Sequence, residues 1–188
     1  FTIFNKNNIG FSTYSEQDGW ISTPYIASNN MMHYNNVAYQ NNTKKIWLSN
    51  VSNKLFNWDP ISNQYTTIPY DSAWGSILSL QSNALSEIWL LTDKGIADWN
   101  GTSWQSVNLN SLPYGFSSIK DFIATTLGQI WIIPKNKQGL YVYQTKQKFN
   151  TETGLNLTTS SNAGNLPSTN VLAIAEDKKG SIWVGTDN

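Results

Sequence analysis

The dipeptide Ile-Trp occurs four times, at Ile46-Trp47, Ile88-Trp89, Ile130-Trp131 and Ile182-Trp183, with successive offsets of 42, 42 and 52 residues. Such spacing marks a chain built from one repeated unit, and few folds use a unit of that length. The flanks repeat too. An alternating apolar stretch precedes each anchor: Val37 and Tyr39, Ile77 and Leu80, Ile119 and Phe122, Val171 and Ile174. Alternation with a period of two is the pattern of a half-buried strand. A polar turn separates stretch from anchor, spelled most fully as Glu176-Asp177-Lys178-Lys179-Gly180. Asp followed three residues later by Gly fits a type I turn closed by a left-handed glycine. Gly128 holds the same offset before Trp131, whereas Lys44 and Ser86 stand there in the first two copies, so those turns are expected to differ.

After each of the first three anchors comes another turn and a third strand, at 54–58, 95–99 and 139–143. A fourth, more polar strand is expected at 64–68, 103–107 and about 147–149. Four short antiparallel strands in a unit of 42 residues is the arithmetic of a propeller blade. A helical repeat requires helix-period apolar stripes, and none is present. The expected fold is therefore all-β, a β-propeller fragment of about four four-stranded antiparallel blades. Residues 1–27 carry no anchor, and Phe1–Phe4 is expected to be an outer strand of a preceding blade, with blades over 28–188 and the last one truncated. The chain opens without Met and stops at Asn188 within a motif, which predicts a piece of a longer protein. Closed propellers take roughly four to eight blades, so uncovered blade faces and self-association are expected.

Composition narrows the function. Charged and aromatic residues are equally abundant at 13% each, which suits sheets packed through rings. Asn runs such as Asn29-Asn30 and Asn41-Asn42 suit many turns. All twelve basic residues are Lys and the net charge is zero, an enrichment that AT-rich codon usage also produces and that argues against a nucleic-acid partner. The absence of Cys removes disulfides and thiolate metal sites. No run of eighteen apolar residues is present, so no transmembrane segment is expected in this span. His33 is the only histidine, which rules out a multi-histidine metal site, and it is expected half-buried at a strand entry. The acids, among them Asp18, Asp59, Asp71, Glu87, Asp93, Asp98, Asp121 and Glu176, fall mostly in turns where Asp serves the backbone. No catalytic residue, no metal and no cofactor is predicted.

Aromatic residues divide into two sets. Trp47, Trp89, Trp131 and Trp183 repeat with the blade and are expected to fill the wedge between neighbouring blades, with Gly128, Gly180 and Gly185 as further structural anchors. Trp20, Tyr65, Tyr70 and Trp74 break the repeat at or near blade connections, where binding residues concentrate, and are the candidate ligand- or partner-binding residues. Beside them, Asp71-Ser72-Ala73 resembles a three-residue O-glycosylation signal of Bacteroidetes envelope proteins.

Residues 165–188, from Asn165-Leu166-Pro167 through Asp177, Gly180, Ile182-Trp183 and Gly185-Thr186, resemble the two-component regulator propeller repeat. In the earlier copies the resemblance is degenerate: Leu90-Leu91-Thr92 follows Trp89 and Ile132-Ile133-Pro134 follows Trp131. Leu166 is expected to fill the gap between blades and Gly185 to allow a close backbone approach near the ring axis. The resemblance implies one of two roles. One is a surface component of type IX secretion, which the degenerate early blades suit better; the other is the periplasmic sensor of a hybrid two-component histidine kinase. Both imply a bacterial cell-envelope location and a partner protein or an envelope glycan such as lipopolysaccharide as ligand. Neither places catalysis in its propeller. A polysaccharide lyase or hydrolase is the least supported reading.

Overall fold

The computed structural model describes residues 2–4, 10–24, 34–107, 115–144, 154–160 and 165–188. Its described elements are strands and two short 3-10 turns, at Ser72–Trp74 and Phe116–Ser118. Strands β1 (Thr2–Phe4), β2 (Gly10–Ser15) and β3 (Gly19–Pro24) form a three-stranded antiparallel sheet. It holds more than the single strand expected at 1–4. Blade I contains β4 (Tyr34–Gln40), β5 (Lys45–Asn50), β6 (Leu55–Asp59) and β7 (Gln64–Ile68). Blade II contains β8 (Ile77–Ser82), β9 (Ile88–Thr92), β10 (Ile96–Trp99) and β11 (Trp104–Val107). Blade III contains β12 (Ile119–Ala124), β13 (Gln129–Pro134), β14 (Leu140–Gln144) and β15 (Gly154–Leu157). Blade IV is the pair β16 (Val171–Glu176) and β17 (Ile182–Thr186). Each blade is an antiparallel meander in chain order.

One expected strand moves. The fourth strand of blade III is Gly154–Leu157, paired with β14 from Leu140↔Leu157 to Tyr143↔Gly154, and 147–149 lie outside the described residues. Part of the longer third offset therefore sits between β14 and β15. Every first strand also carries a bulge at one repeated place, between Tyr34/Asn36, Ile77/Ser79, Ile119/Asp121 and Val171/Ala173. A bulge bends the strand and sharpens its twist.

The anchor turns are more alike than Lys44 and Ser86 suggested. In blades II, III and IV the amides of Ser86, Gly128 and Gly180 donate to the carbonyls of Asn83, Thr125 and Asp177 at 2.9, 3.1 and 3.0 Å. Ser86 adopts φ 65°, beside 72° for Gly128 and 82° for Gly180. Lys44 is also left-handed at φ 57°. The hairpin geometry thus overrides the residue's preference, at a local cost of about 1 kcal/mol for a side chain in that region. Blade I differs in length instead. Its hairpin pairs Tyr39 with Ile46, where the others pair Ser82 with Ile88 and Ala124 with Ile130, so one extra residue intervenes. Tyr39, at the hairpin end of β4, is exposed rather than inward, and Ala38 is the buried residue of that strand.

The second strands of blades I, II and III are buried on both faces, which explains their apolar runs. In β9, Ile88 and Leu90 join a core with Trp47, Leu55, Ile68, Ile77 and Leu80, while Trp89 and Leu91 join one with Ile119, Phe122, Ile130 and Ile132. In β13, Ile130 and Ile132 face that second core, and Trp131 and Ile133 face a third with Leu140, Val171 and Ile174. Leu166 packs into this third core, as the motif implied. A sheet-to-sheet stack of this kind is a β-propeller architecture.

Candidate functional site

Each anchor indole has a ring face and a polar edge to satisfy. Trp47 is 2% exposed, with its Nε1 donating to Gln40 Oε1 at 2.9 Å. Its ring meets Trp99 and Trp104 of blade II edge-on, with centroids 5.4 and 5.9 Å away. The Nε1 groups of Trp131 and Trp183 donate to Gln129 Oε1 and Asp177 Oδ2, both at 3.0 Å. Trp89 is equally buried, but its Nε1 has no hydrogen-bond partner among the described residues. Trp183 departs from the expected wedge. It is 66% exposed, because no described sheet lies on that face of blade IV. Gly185 departs for the same reason: a Cβ there would meet only Ala173, at an ordinary 3.8 Å.

Of the repeat-breaking aromatics, the structure brings Tyr70 and Trp74 together. With Pro69, Asp71, Trp99, Thr102, Ser103 and Trp104 they line a cleft of about 430 Å³ between the β7–β8 connection and the β10–β11 hairpin. Tyr65 does not line it. Its ring stacks on Trp58 across β6 and β7, with centroids 5.9 Å apart and planes 24° apart. Trp20 is half exposed on β3 and does not line it either. His33 lies outside the described residues.

The connection is built by local bonds. Asp71 caps the turn Ser72–Trp74, accepting from Ala73 N at 2.9 Å, and Gly75 ends it at φ 83° with its amide on Ser72 O. Tyr70 Oη donates to Gly75 O at 2.7 Å, folding its ring back over the turn. Burial, and then the charges of Asp93 and Asp71, push the Tyr70 phenol up to about 12. Asp93 Oδ1 accepts from Ser76 N at 2.9 Å and occupies the space that a Cβ on Gly75 would need. Ser72, the hydroxyl of the Asp-Ser-Ala motif, is exposed on this turn. On the other wall, the turn between β10 and β11 is closed by Asn100 Oδ1, which accepts from Thr102 N at 2.9 Å and Ser103 N at 2.8 Å. The turn sets Trp99 opposite Trp104 across the hairpin. Their rings lie 5.2 Å apart with planes inclined at 60°. The Nε1 of Trp104 is buried and has no hydrogen-bond partner among the described residues.

Trp99 and Trp104 were read from sequence only as strand residues. The signal that marks them is a Trp on each side of Asn100-Gly101, in the repeat positions where blade I carries Trp58 and Tyr65. Some of the acids serve backbone turns, whereas Asp98, Asp121 and Glu176 lie in strands β10, β12 and β16. Asp59 accepts from Ile61 N and Ser62 N, and Asp177 from Lys179 N and Ser181 N. Among the described residues, no group of three or more His, Cys, Asp or Glu is placed to hold a metal, and no helix is long and apolar enough to cross a membrane.

Residues 165–188 match the family described as two component regulator propeller. No curated protein sequence matches the chain. Solved structures do match, and they show the fold: this is a β-propeller. PorZ, a bacterial surface component of the type-IX secretion system of Porphyromonas gingivalis, superposes with a TM-score of 0.66 at 14% identity, over 99% of this chain and 29% of PorZ. The extracellular domain of the hybrid two component system BT3049 of B. thetaiotaomicron gives 0.59 at 16%, over 99% of this chain and 26% of that one. A catalytically inactive histidine-to-alanine virginiamycin B lyase of Staphylococcus aureus, solved with quinupristin, gives 0.64 at 11%, over 97% and 61%. The chain therefore spans less than two thirds of each.

Proposed function

We propose that this chain is a non-catalytic binding module of a bacterial cell envelope, a PorZ-like propeller that takes a partner protein or an envelope glycan in the Tyr70–Trp74–Trp99–Trp104 cleft. The observation that carries the reading is the cleft itself. Four aromatic residues and one carboxylate converge where two blades meet, on a connection that the repeat does not dictate. Aromatic surface with a few placed polar groups is the usual make-up of a ligand site. A neighbouring propeller, YCF48, is described as bound to D1 peptide, which supports a protein partner. The lyase neighbour shares the fold at 11% identity, and a shared fold does not carry catalysis to this chain. The sheet β1–β3 is read as part of a preceding blade.

The test is binding by the full chain of envelope lipopolysaccharide and of secretion-machinery proteins, with Trp74→Ala as the variant. Binding lost in the variant supports the reading, whereas binding retained in full removes the cleft from it. The family match at 165–188 favours a second reading, the periplasmic ligand-sensing propeller of a hybrid two-component histidine kinase. Sequencing the gene onward from the codon for Asn188 separates the two. A membrane span followed by kinase modules gives the sensor, and further blades with a small sorting domain give the secretion component.

A further inference from the structure

Charge enters the cleft lining at a single residue. Asp71 is the only charged residue in its lining. A carboxylate offers about four lone-pair sites, and the described residues engage Asp71 only through Oδ1 on Ala73 N. Asp93 stands beside the same connection, bonded to Ser76 N. The one ammonium bonded to this connection is Lys94, whose Nζ donates to Ala73 O at 3.2 Å and which does not line the cleft. The walls are aromatic: Trp99 and Trp104 meet at 60°, and Tyr70 and Trp74 complete the lining. An indole face is the best neutral side-chain partner for a cation, within about 6 Å of the ring.

We propose that the cleft binds a protonated amine, the side chain of a lysine on a protein partner, held over the indole faces with Asp71 as counter-charge. The inference rests on the reading of the cleft as a partner site and names the chemistry that it selects. An anion is disfavoured by Asp71 and Asp93. A sugar would also stack on the rings and donate hydroxyls to Asp71, so methyl glucoside is the competing probe. The cleft, at about 430 Å³, is larger than an ammonium group and has room for the apolar stem of lysine along Pro69 and Tyr70.

The experiment titrates the full chain with Nα-acetyl-lysine methylamide and with its Nε-acetylated counterpart, following the indole N–H signals of Trp99 and Trp104. The expected result is saturable millimolar binding of the charged probe, on the order of tenfold tighter than the acetylated one. Asp71→Asn keeps the capping oxygen, so the expected outcome there is a several-fold loss with an unchanged melting temperature. Equal binding of the two probes, no effect of Asp71→Asn, or a preference for methyl glucoside or phosphatidylcholine vesicles over the lysine probe overturns the proposal. If the probes are not discriminated while Trp74→Ala still abolishes partner binding, only the lysine is refuted. If Trp74→Ala leaves partner binding intact, the underlying site reading fails.

Discussion

Trp47 and Trp183 occupy the same repeat position, yet the structure assigns them different energies. Trp47 is enclosed between blades I and II, and Trp183 lies two-thirds open on blade IV. A Trp side chain buries up to about 250 Å², which at about 25 cal/mol per Å² is about 6 kcal/mol before relaxation. Truncations of buried aromatic residues to alanine cost about 3–5 kcal/mol. Trp47→Ala also strips the rings of Trp99 and Trp104 of their shared edge contact, so the upper half of that range is expected. For Trp183, about a third of the area is at stake, which gives about 2 kcal/mol at most. Its Nε1 bond to Asp177 is exposed and adds little. The two variants should therefore differ by about 2 kcal/mol or more, or about 4–8 °C in Tm for a chain of this size. Urea denaturation followed by both tryptophan fluorescence and far-UV circular dichroism reads this out. Coincident transitions are needed, because stacked repeats can open one at a time. Equal costs for the two variants would refute the assignment of Trp47 to a buried inter-blade core.

Three further outcomes are expected. Lys44→Gly relieves a left-handed side chain at φ 57° and should raise stability by up to about 0.5 kcal/mol, the difference between the strain removed and glycine's entropy; a lower urea midpoint would contradict it. Gly75→Ala forces a Cβ into the Asp93 carboxylate at φ 83° and should cost about 1–3 kcal/mol while weakening any ligand bound beside Trp74; an unchanged melting curve would show that the connection is slack. Asp177 is held below the ordinary carboxylate range, first by the indole N–H of Trp183 and then by the amides of Ser181 and Lys179. A depressed folded value means that its support for the blade IV turn is complete above the unfolded pKa, about 3.9, and is lost as pH falls through the folded one. The Trp183 Nε1–H resonance should therefore titrate below about pH 4, and Asp177→Asn should abolish that titration.

The repeat made most of the fold legible. A strand buried on both faces writes an unbroken apolar run such as Ile88-Trp89-Leu90-Leu91, and its recurrence fixes the blade. Turn chemistry was less legible, because Ser86 and Lys44 take a glycine conformation that their side chains do not advertise. Tyr39 shares the face of Val37, two residues away, but sits at the hairpin end of β4 and stays exposed, which alternation alone does not reveal. The fourth strand of blade III escaped because the longer interval from Gln144 to Gly154 moves it past the position that blades I and II predict. Half of the cleft could be found in the sequence. Tyr70 and Trp74 stand out as departures from the repeat, but Trp99 and Trp104 obey it, and only the contact between two blades shows that a regular position can also line a site.

The alternation within β9 and β13 has a consequence for how such a chain tolerates changes of length. Neighbouring residues of one strand belong to different cores, Ile88 and Leu90 to one and Trp89 and Leu91 to the next. Deleting a single residue there would not thin one core. It would exchange the contents of two, sending Trp89 toward a space sized for Leu90 and the reverse. Gains and losses of sequence are therefore confined to the joints between strands. The interval between Gln144 and Gly154 shows that a joint can lengthen while the cores on either side keep their composition.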